Sequence, residues 1–136
     1  MELVKSFTFG EEIGEKIAVK FSAEGIVVKA TAASDEVCGV TLFGGQQGAV
    51  GDVLMFGLGS VATSDAVDAG DFLVASSDGK LEKLDTETAE GTLTVVGRVL
   101  ETASAGAHLA AFINPQVLVL PTAAAESSEE EESEQE

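Results

Sequence analysis

The chain has no tryptophan and no tyrosine, one cysteine, one histidine, two prolines and seven basic residues among 136. Each scarcity excludes something. A lone cysteine, Cys38, cannot form a disulfide within the chain, so the fold owes nothing to oxidation. With seven Phe as the only aromatics, the core has to be built mainly from Val, Leu, Ile and Ala. Seven bases against 24 acids give a formal charge of −17. Phosphate backbones are bound through clustered Lys and Arg, so no nucleic acid is expected as a partner. An acidic membrane surface would repel the chain as well. No apolar run reaches the ~18 residues of a membrane span. No basic segment followed by an apolar one opens the sequence, so neither a membrane nor an export route is expected.

Short segments rich in Val, Ile, Thr and Phe run through the body, separated by Gly, Asp and Ser, which is the pattern of strands joined by tight turns. This predicts strands over Val4–Phe9, Lys16–Phe21, Ile26–Ala30, Val37–Phe43, Asp52–Phe56, Ser60–Thr63, Phe72–Ala75, Leu81–Leu84, Thr92–Leu100 and His108–Ile113. Ala23-Glu24-Gly25 and Ser77-Asp78-Gly79 place glycine where a hairpin needs positive φ, and Gly57-Leu58-Gly59 reads as a further reversal. The last apolar run, Gln116 to Leu120, lies between Pro115 and Pro121. Proline cannot donate to a ladder, so this run is expected as an edge strand or strap.

The two halves of the body share a pattern. Gly14 and Ile17 match Gly70 and Leu73; Gly25, Val27 and Lys29 match Gly79, Leu81 and Lys83. Val37, Gly39, Leu42 and Gly48 match Val95, Gly97, Leu100 and Gly106, and Phe56 and Phe112 close the two copies. The expected fold class is all-β: a small β-sandwich or barrel built from two similar hairpin-rich repeats, about 14–56 and 70–113. A segment over 1–12 is set apart as an N-terminal arm or strand, 13–120 as the main domain, and 121–136 as a disordered acidic tail. Seven of the 24 acids fall in Glu126–Glu136, and the other 17 against seven bases leave the body near −10.

Few residues invite a chemical role. His108, in Gly106-Ala107-His108-Leu109, has no nucleophile or orienting carboxylate beside it in sequence, and a structural or surface role is expected. Cys38 has acids upstream rather than an electropositive setting, and reads as a small buried hydrophobe. Asp65, Asp68 and Asp71 are spaced for oxygen ligation but lack the alternating acids, central glycine and terminal Glu of a calcium loop, so a solvated turn is expected and no metal. The glycine-rich Gly44–Gly48 has no following helix or Lys to cradle a phosphate; it reads as a loop in which Gln46 and Gln47 are candidate partner contacts. Leu3, Lys5, Phe7 and Phe9 alternate with Val4, Ser6 and Thr8. That strand either pairs within its own sheet or adds to the edge of a partner, which makes Leu3, Val4, Phe7 and Phe9 the other candidate contacts. If it acts as an arm, removing Met1 to Phe9 should leave the β-fold intact. No catalytic residue and no cofactor is expected.

The stretch Gly14–Phe56 contains Ile17-Ala18-Val19-Lys20, Gly25-Ile26-Val27-Val28-Lys29-Ala30, Cys38-Gly39-Val40-Thr41-Leu42, Gly48 and Asp52-Val53-Leu54. It is echoed by Ala69–Leu81 and Val96–Glu101. In this order, covering about Gly14 to Pro115, the pattern resembles the small capsid decoration (cement) proteins of tailed bacteriophages. The resemblance implies a β-sandwich or β-barrel module without catalytic residues, bound as a trimer to the outside of an assembled shell with the major capsid protein as partner. It implies a virion location and synthesis in a bacterial cytoplasm. A body and tail this acidic would be repelled by packed DNA, which agrees with an external position. The alternative is a β-sandwich adhesion or ligand-binding module displayed on a virion or cell surface. Against it stands the lack of Tyr and Trp, which favour recognition surfaces. Against an enzyme of the small-barrel kind stand the single histidine and the absence of a catalytic motif and of a metal cluster in the sequence.

Overall fold

Residues branched at Cβ pack well on a pleated surface, and alternate residues of a strand face opposite sides. The segments that combine these properties form the nine strands of the computed structural model, which describes residues 2–85 and 91–120. They are β1 (Leu3–Phe9), β2 (Ala18–Ala23), β3 (Ile26–Lys29), β4 (Val37–Thr41), β5 (Val50–Ala62), β6 (Phe72–Ala75), β7 (Leu81–Lys83), β8 (Gly91–Val99) and β9 (His108–Leu120), with one 3-10 turn at Ser77–Gly79. No α-helix occurs among the described residues. The tail expected to be disordered, 121–136, lies outside them.

The strand order is β1-β3-β2-β4-β5-β9-β8-β6-β7, and β1 also pairs with β5. The first five strands therefore close on themselves into a barrel. In it β1 runs antiparallel to β5, from Leu3↔Phe56 to Thr8↔Val50, and parallel to β3 at Thr8↔Ile26 and Phe9↔Val27. The second half repeats this plan. The far half of β5 pairs with β9 (Gly57↔Ile113 to Ala62↔His108), β9 with β8, β8 with β6 and β6 with β7. A single parallel bridge, Thr63↔Leu81, completes the ring where β1 and β3 complete the first.

Hydrogen bonds fix which residues correspond. Ile13 N donates to Gly45 O at 2.9 Å and Val67 N to Ala103 O at 3.0 Å; Lys16 N donates to Thr41 O at 2.9 Å and Gly70 N to Val99 O at 2.8 Å. Ala30 N to Ala18 O repeats as Leu84 N to Phe72 O, and Gly48 N to Phe9 O as Gly106 N to Thr63 O. The matches of Gly25 with Gly79 and of Gly39 with Gly97 stand. The two hairpin turns have φ of 76° and 75°, and a Cβ at either Gly39 or Gly97 would press on the carbonyl of Leu54 or Phe112.

Three expectations are corrected. Gly70 corresponds to Lys16, not Gly14: Lys16 itself holds φ 58°, so the position needing positive φ carries glycine in one repeat only. Leu73 accordingly matches Val19, since each pairs across to the matched glycine, Gly97 or Gly39. Phe112 corresponds to Leu54, as Arg98↔Phe112 and Val40↔Leu54 show, while Phe56 and Phe112 touch each other. Gly57-Leu58-Gly59 is not a reversal. β5 runs through it, leaving one barrel and entering the other, and Gly59 makes room for the Leu54 side chain. The run 116–120 does lie at an edge, as the end of β9 paired to Gly91–Val95.

The two interiors are filled differently. The first barrel holds Phe7, Phe9, Ile13, Val19, Val27 and Val53. The Phe9 ring occupies space left by Gly45 and Gly51, where a Cβ would collide with it. Burying a Phe contributes roughly 1.5–3 kcal/mol, so this ring is a main source of the first barrel's stability. The second barrel has Val61 and Thr63 in place of the two Phe, and its cluster includes Leu73, Leu81, Leu109 and Ile113. That same cluster takes in Ala18, Ala30, Val40 and Leu54 from the outer face of the first barrel. The first barrel thus lays its outer wall over one end of the second. The covered end carries Ala75, Val96 and Ile113, all buried, and its turn glycine, Gly79, is packed against Ile17 and the Ala18 and Ala30 carbonyls.

Candidate interaction surfaces

The residues picked out at the N-terminus divide. Leu3 and Val4 are exposed, whereas Phe7 and Phe9 are buried in the first barrel and are unavailable to a partner. The segment is therefore a stave of that barrel and not a removable arm, because period-two alternation sends every second side chain inward. Among the described residues β3 pairs with β1 only at Thr8 and Phe9, and none pairs with the Leu3–Phe7 edge facing away from β5, which leaves that edge open to another strand. Gln46 and Gln47 are exposed on the β4–β5 connection, flanked by exposed Phe43 and Val50. Gly44–Gly48 is better anchored than a free loop: Gly45 and Ile13 exchange both backbone hydrogen bonds, at 2.9 and 2.8 Å.

The titratable candidates take up structural positions. Cys38 is half-buried on β4 with its thiol donating to Val19 O at 3.5 Å, and burial pushes its pKa from the ordinary 9.0 to about 11. At neutral pH it stays a protonated thiol and a poor nucleophile. The Asp65–Asp71 segment is a turn closed on itself: Asp71 N donates to Asp68 O at 3.0 Å, and the Asp71 carboxylate accepts from Asp68 N at 2.8 Å. No group of three or more His, Cys, Asp or Glu is placed to share a metal among the described residues. His108 is exposed at the start of β9, on the wall of a groove of about 600 Å³ between the barrels that Lys16, Ile17, Thr63, Ser64 and Lys80 also line. The two hydroxyls there are committed to backbone, Thr63 Oγ1 to Asp65 O at 2.7 Å and Ser64 Oγ to Leu81 O at 3.3 Å. The groove thus carries Lys80 and Lys16, the latter 3.9 Å from the Glu15 carboxylate that also lines it, and both its hydroxyls donate to backbone carbonyls.

A surface with no signal in the linear sequence lies on the second barrel. Phe72, Arg98, Phe112 and Leu58 stand directly opposite one another across β6, β8, β9 and β5. Phe72 is 45% exposed, Phe112 36% and Leu58 59%. Arg98, the sole arginine of the chain, lies with Cζ 5.1 Å from the Phe72 ring centroid and donates from Nε to Gly70 O at 3.1 Å. This fixes the guanidinium as a cation over an aromatic face. Phe56 meets Phe112 edge to face, with centroids 5.1 Å apart. Exposed aromatic and arginine side chains clustered in this way are the usual anchors of protein interfaces. In the corrected repeat register Phe72, Arg98 and Phe112 stand where the first barrel has Ala18, Val40 and Leu54.

No known family profile matches the chain, and no curated protein matches it. Among solved structures it is similar to the N base of the head fiber protein gp8.5 of bacteriophage phi29, with a TM-score of 0.59 and 17% sequence identity, over 84% of this chain and 95% of that one. At that identity the likeness is one of fold, and it spans both barrels rather than a single sheet.

Proposed function

We propose that this chain is a structural protein of a bacteriophage head that binds the outer surface of the assembled capsid and stabilises it. The observation that carries the reading is the shared fold with a phage head-fiber base over nearly the whole of that base. The strongly acidic chain supports an outward position, since packed DNA would repel it while the same charge keeps particles dispersed. The open Leu3–Phe7 edge of β1, with Leu3 and Val4 exposed, offers main-chain groups and apolar side chains to a strand of the major capsid protein. Exposed Gln46 and Gln47 add polar contacts at the β4–β5 connection. A module that binds only the assembled shell stabilises it by mass action, and many copies across subunit junctions multiply the effect.

The test mixes the purified protein with expanded, empty heads that lack it, and reads co-sedimentation together with the shell's thermal disruption temperature. Saturable binding at a fixed ratio to the major capsid protein, with a raised disruption temperature, is expected. Absence of binding to any shell would remove the capsid reading. Replacing Leu3 and Val4 by Asp should weaken shell binding while the barrels stay folded, because neither side chain contributes to the interior.

A further inference from the structure

The internal repeat leaves two surfaces exposed whose counterparts are already bound to each other inside the molecule. Ala18, Val40 and Leu54 of the first barrel cover the end of the second that bears Ala75, Val96, Ile113 and the Gly79 turn. The counterpart of that covering row is Phe72, Arg98 and Phe112, which is exposed. The counterpart of the covered end is the end of the first barrel that bears Phe21, Cys38, Met55 and the Gly25 turn. There Phe21 is 47% exposed, Cys38 and Met55 are half-buried, and nothing lies within 4 Å of a Cβ placed on Gly25. A recess of about 550 Å³ opens at this end between Phe7, Phe21 and Glu24.

We propose that these two surfaces bind each other between copies of this chain, the Phe72–Arg98–Phe112 row of one copy covering the open first-barrel end of the next. The contact would continue from molecule to molecule the one that already joins the barrels. In the internal contact the Gly79 turn sits against Ile17, Ala18 and Ala30. Transferred between copies, the Gly25 turn would meet Asp71, Phe72 and Leu84; Arg98 lies over the Phe72 ring and directly opposite it, and Glu24 adjoins the turn, so the transfer would set these two charges close together. Asp71, an acid beside the row, has its carboxylate held in its own turn by Asp68 N. Copies with a formal charge of −17 repel, so a junction that sets the sole arginine against an acid selects this face over others. The contact joins unlike surfaces, so it propagates head to tail and closes into a ring where the rotation allows. The recess shares Lys5, Ser6 and Phe7 with the β1 edge assigned above to the capsid, so this contact is tested on the protein alone, without any shell.

Analytical ultracentrifugation of the full chain over a concentration series tests it with Arg98→Glu and Glu24→Arg. Both side chains are exposed, so thermal unfolding should match the parent. The parent is expected to associate, and each single reversal to weaken association by about tenfold or more. An equimolar mixture of the two variants should associate again, alternating in open chains and in rings of even number only, and the double variant should associate with itself as the parent does. A parent that stays monomeric at every concentration overturns the proposal. So does an isologous dimer, or an assembly indifferent to both reversals. Monomers that bind shells through Arg98 would hand the row to the capsid protein instead.

Discussion

The two barrels share a plan, and their differences lie in what each does with its wall and its end. The first fills its interior with Phe7 and Phe9 and lends its wall, trimmed to Ala18, Val40 and Leu54, to its neighbour. The second has Val61 and Thr63 at the two Phe positions, receives that wall over its end, and carries Phe72, Arg98 and Phe112 on its own wall in the open. A repeated unit therefore became two specialised ones by substitution at corresponding positions. Smaller side chains mark the face used within the chain, and larger ones the face left exposed.

Five substitutions probe this contrast. Phe9→Ala should have the largest effect, removing about 3–5 kcal/mol by the measure of urea unfolding, because Gly45 and Gly51 are shaped around a ring that nothing else would replace. A loss below about 1 kcal/mol would mean that the first barrel does not depend on its aromatic filling. The next pair separates backbone strain from packing. Gly25→Ala and Gly79→Ala impose nearly the same φ, 76° and 75°, but only the second drives a Cβ into Ile17 and the Ala18 carbonyl. Gly25→Ala should cost about 1–2 kcal/mol and Gly79→Ala about 1–3 kcal/mol more. Equal costs would show that the barrel–barrel contact at Gly79 is loose.

Cys38 stands where the second barrel has Val96, and it predicts an asymmetry at alkaline pH. Below about pH 9 the thiol is protonated whether the chain is folded or not. Between 9 and 11 the unfolded chain releases the proton and the folded one keeps it, so the unfolded state binds fewer protons and stability falls as pH rises. Discounted for partial exposure of the thiol, the loss is on the order of 1 kcal/mol. Cys38→Val, which copies the second barrel, should flatten this slope in chemical unfolding followed from pH 8 to ~11. The smallest effect is expected at Lys16, which holds φ 58° where the second repeat has Gly70. Lys16→Gly relieves left-handed strain but loosens the unfolded chain, and a net gain of about 0.5–1 kcal/mol in thermal unfolding is expected. A loss instead would show that the Lys16 side chain contributes more than its backbone strain removes.

Strand positions were legible because alternation and turn glycines are local signals. Seven of the nine strands fall within a few residues of their expected places, while β9 runs on from the expected 108–113 through Pro115 into the run 116–120, and the Gly25 and Gly79 turns behave as glycine at positive φ dictates. β5 was expected as two strands because Gly57 and Gly59 look like a reversal. Whether glycine there turns the chain or lets it pass close to Leu54 depends on a side chain elsewhere in the fold. Among the candidate contacts, Leu3, Val4, Gln46 and Gln47 lie on the surface as expected. Phe7 and Phe9 do not, since alternation shows that two faces differ without showing which is inside a closed barrel. The Phe72–Arg98–Phe112–Leu58 row was invisible because its members come from four strands.

Composition and local pattern, by themselves, determined that this would be an acidic all-β protein of two related halves, because charge, Cβ branching and turn glycines act over a few residues. Only the tertiary structure decided the register between the halves, the shared strand β5, and which of two corresponding faces is buried. Those depend on long-range strand pairing, where one glycine or one lysine at positive φ shifts the whole correspondence, and where burial is set by what the opposite barrel brings.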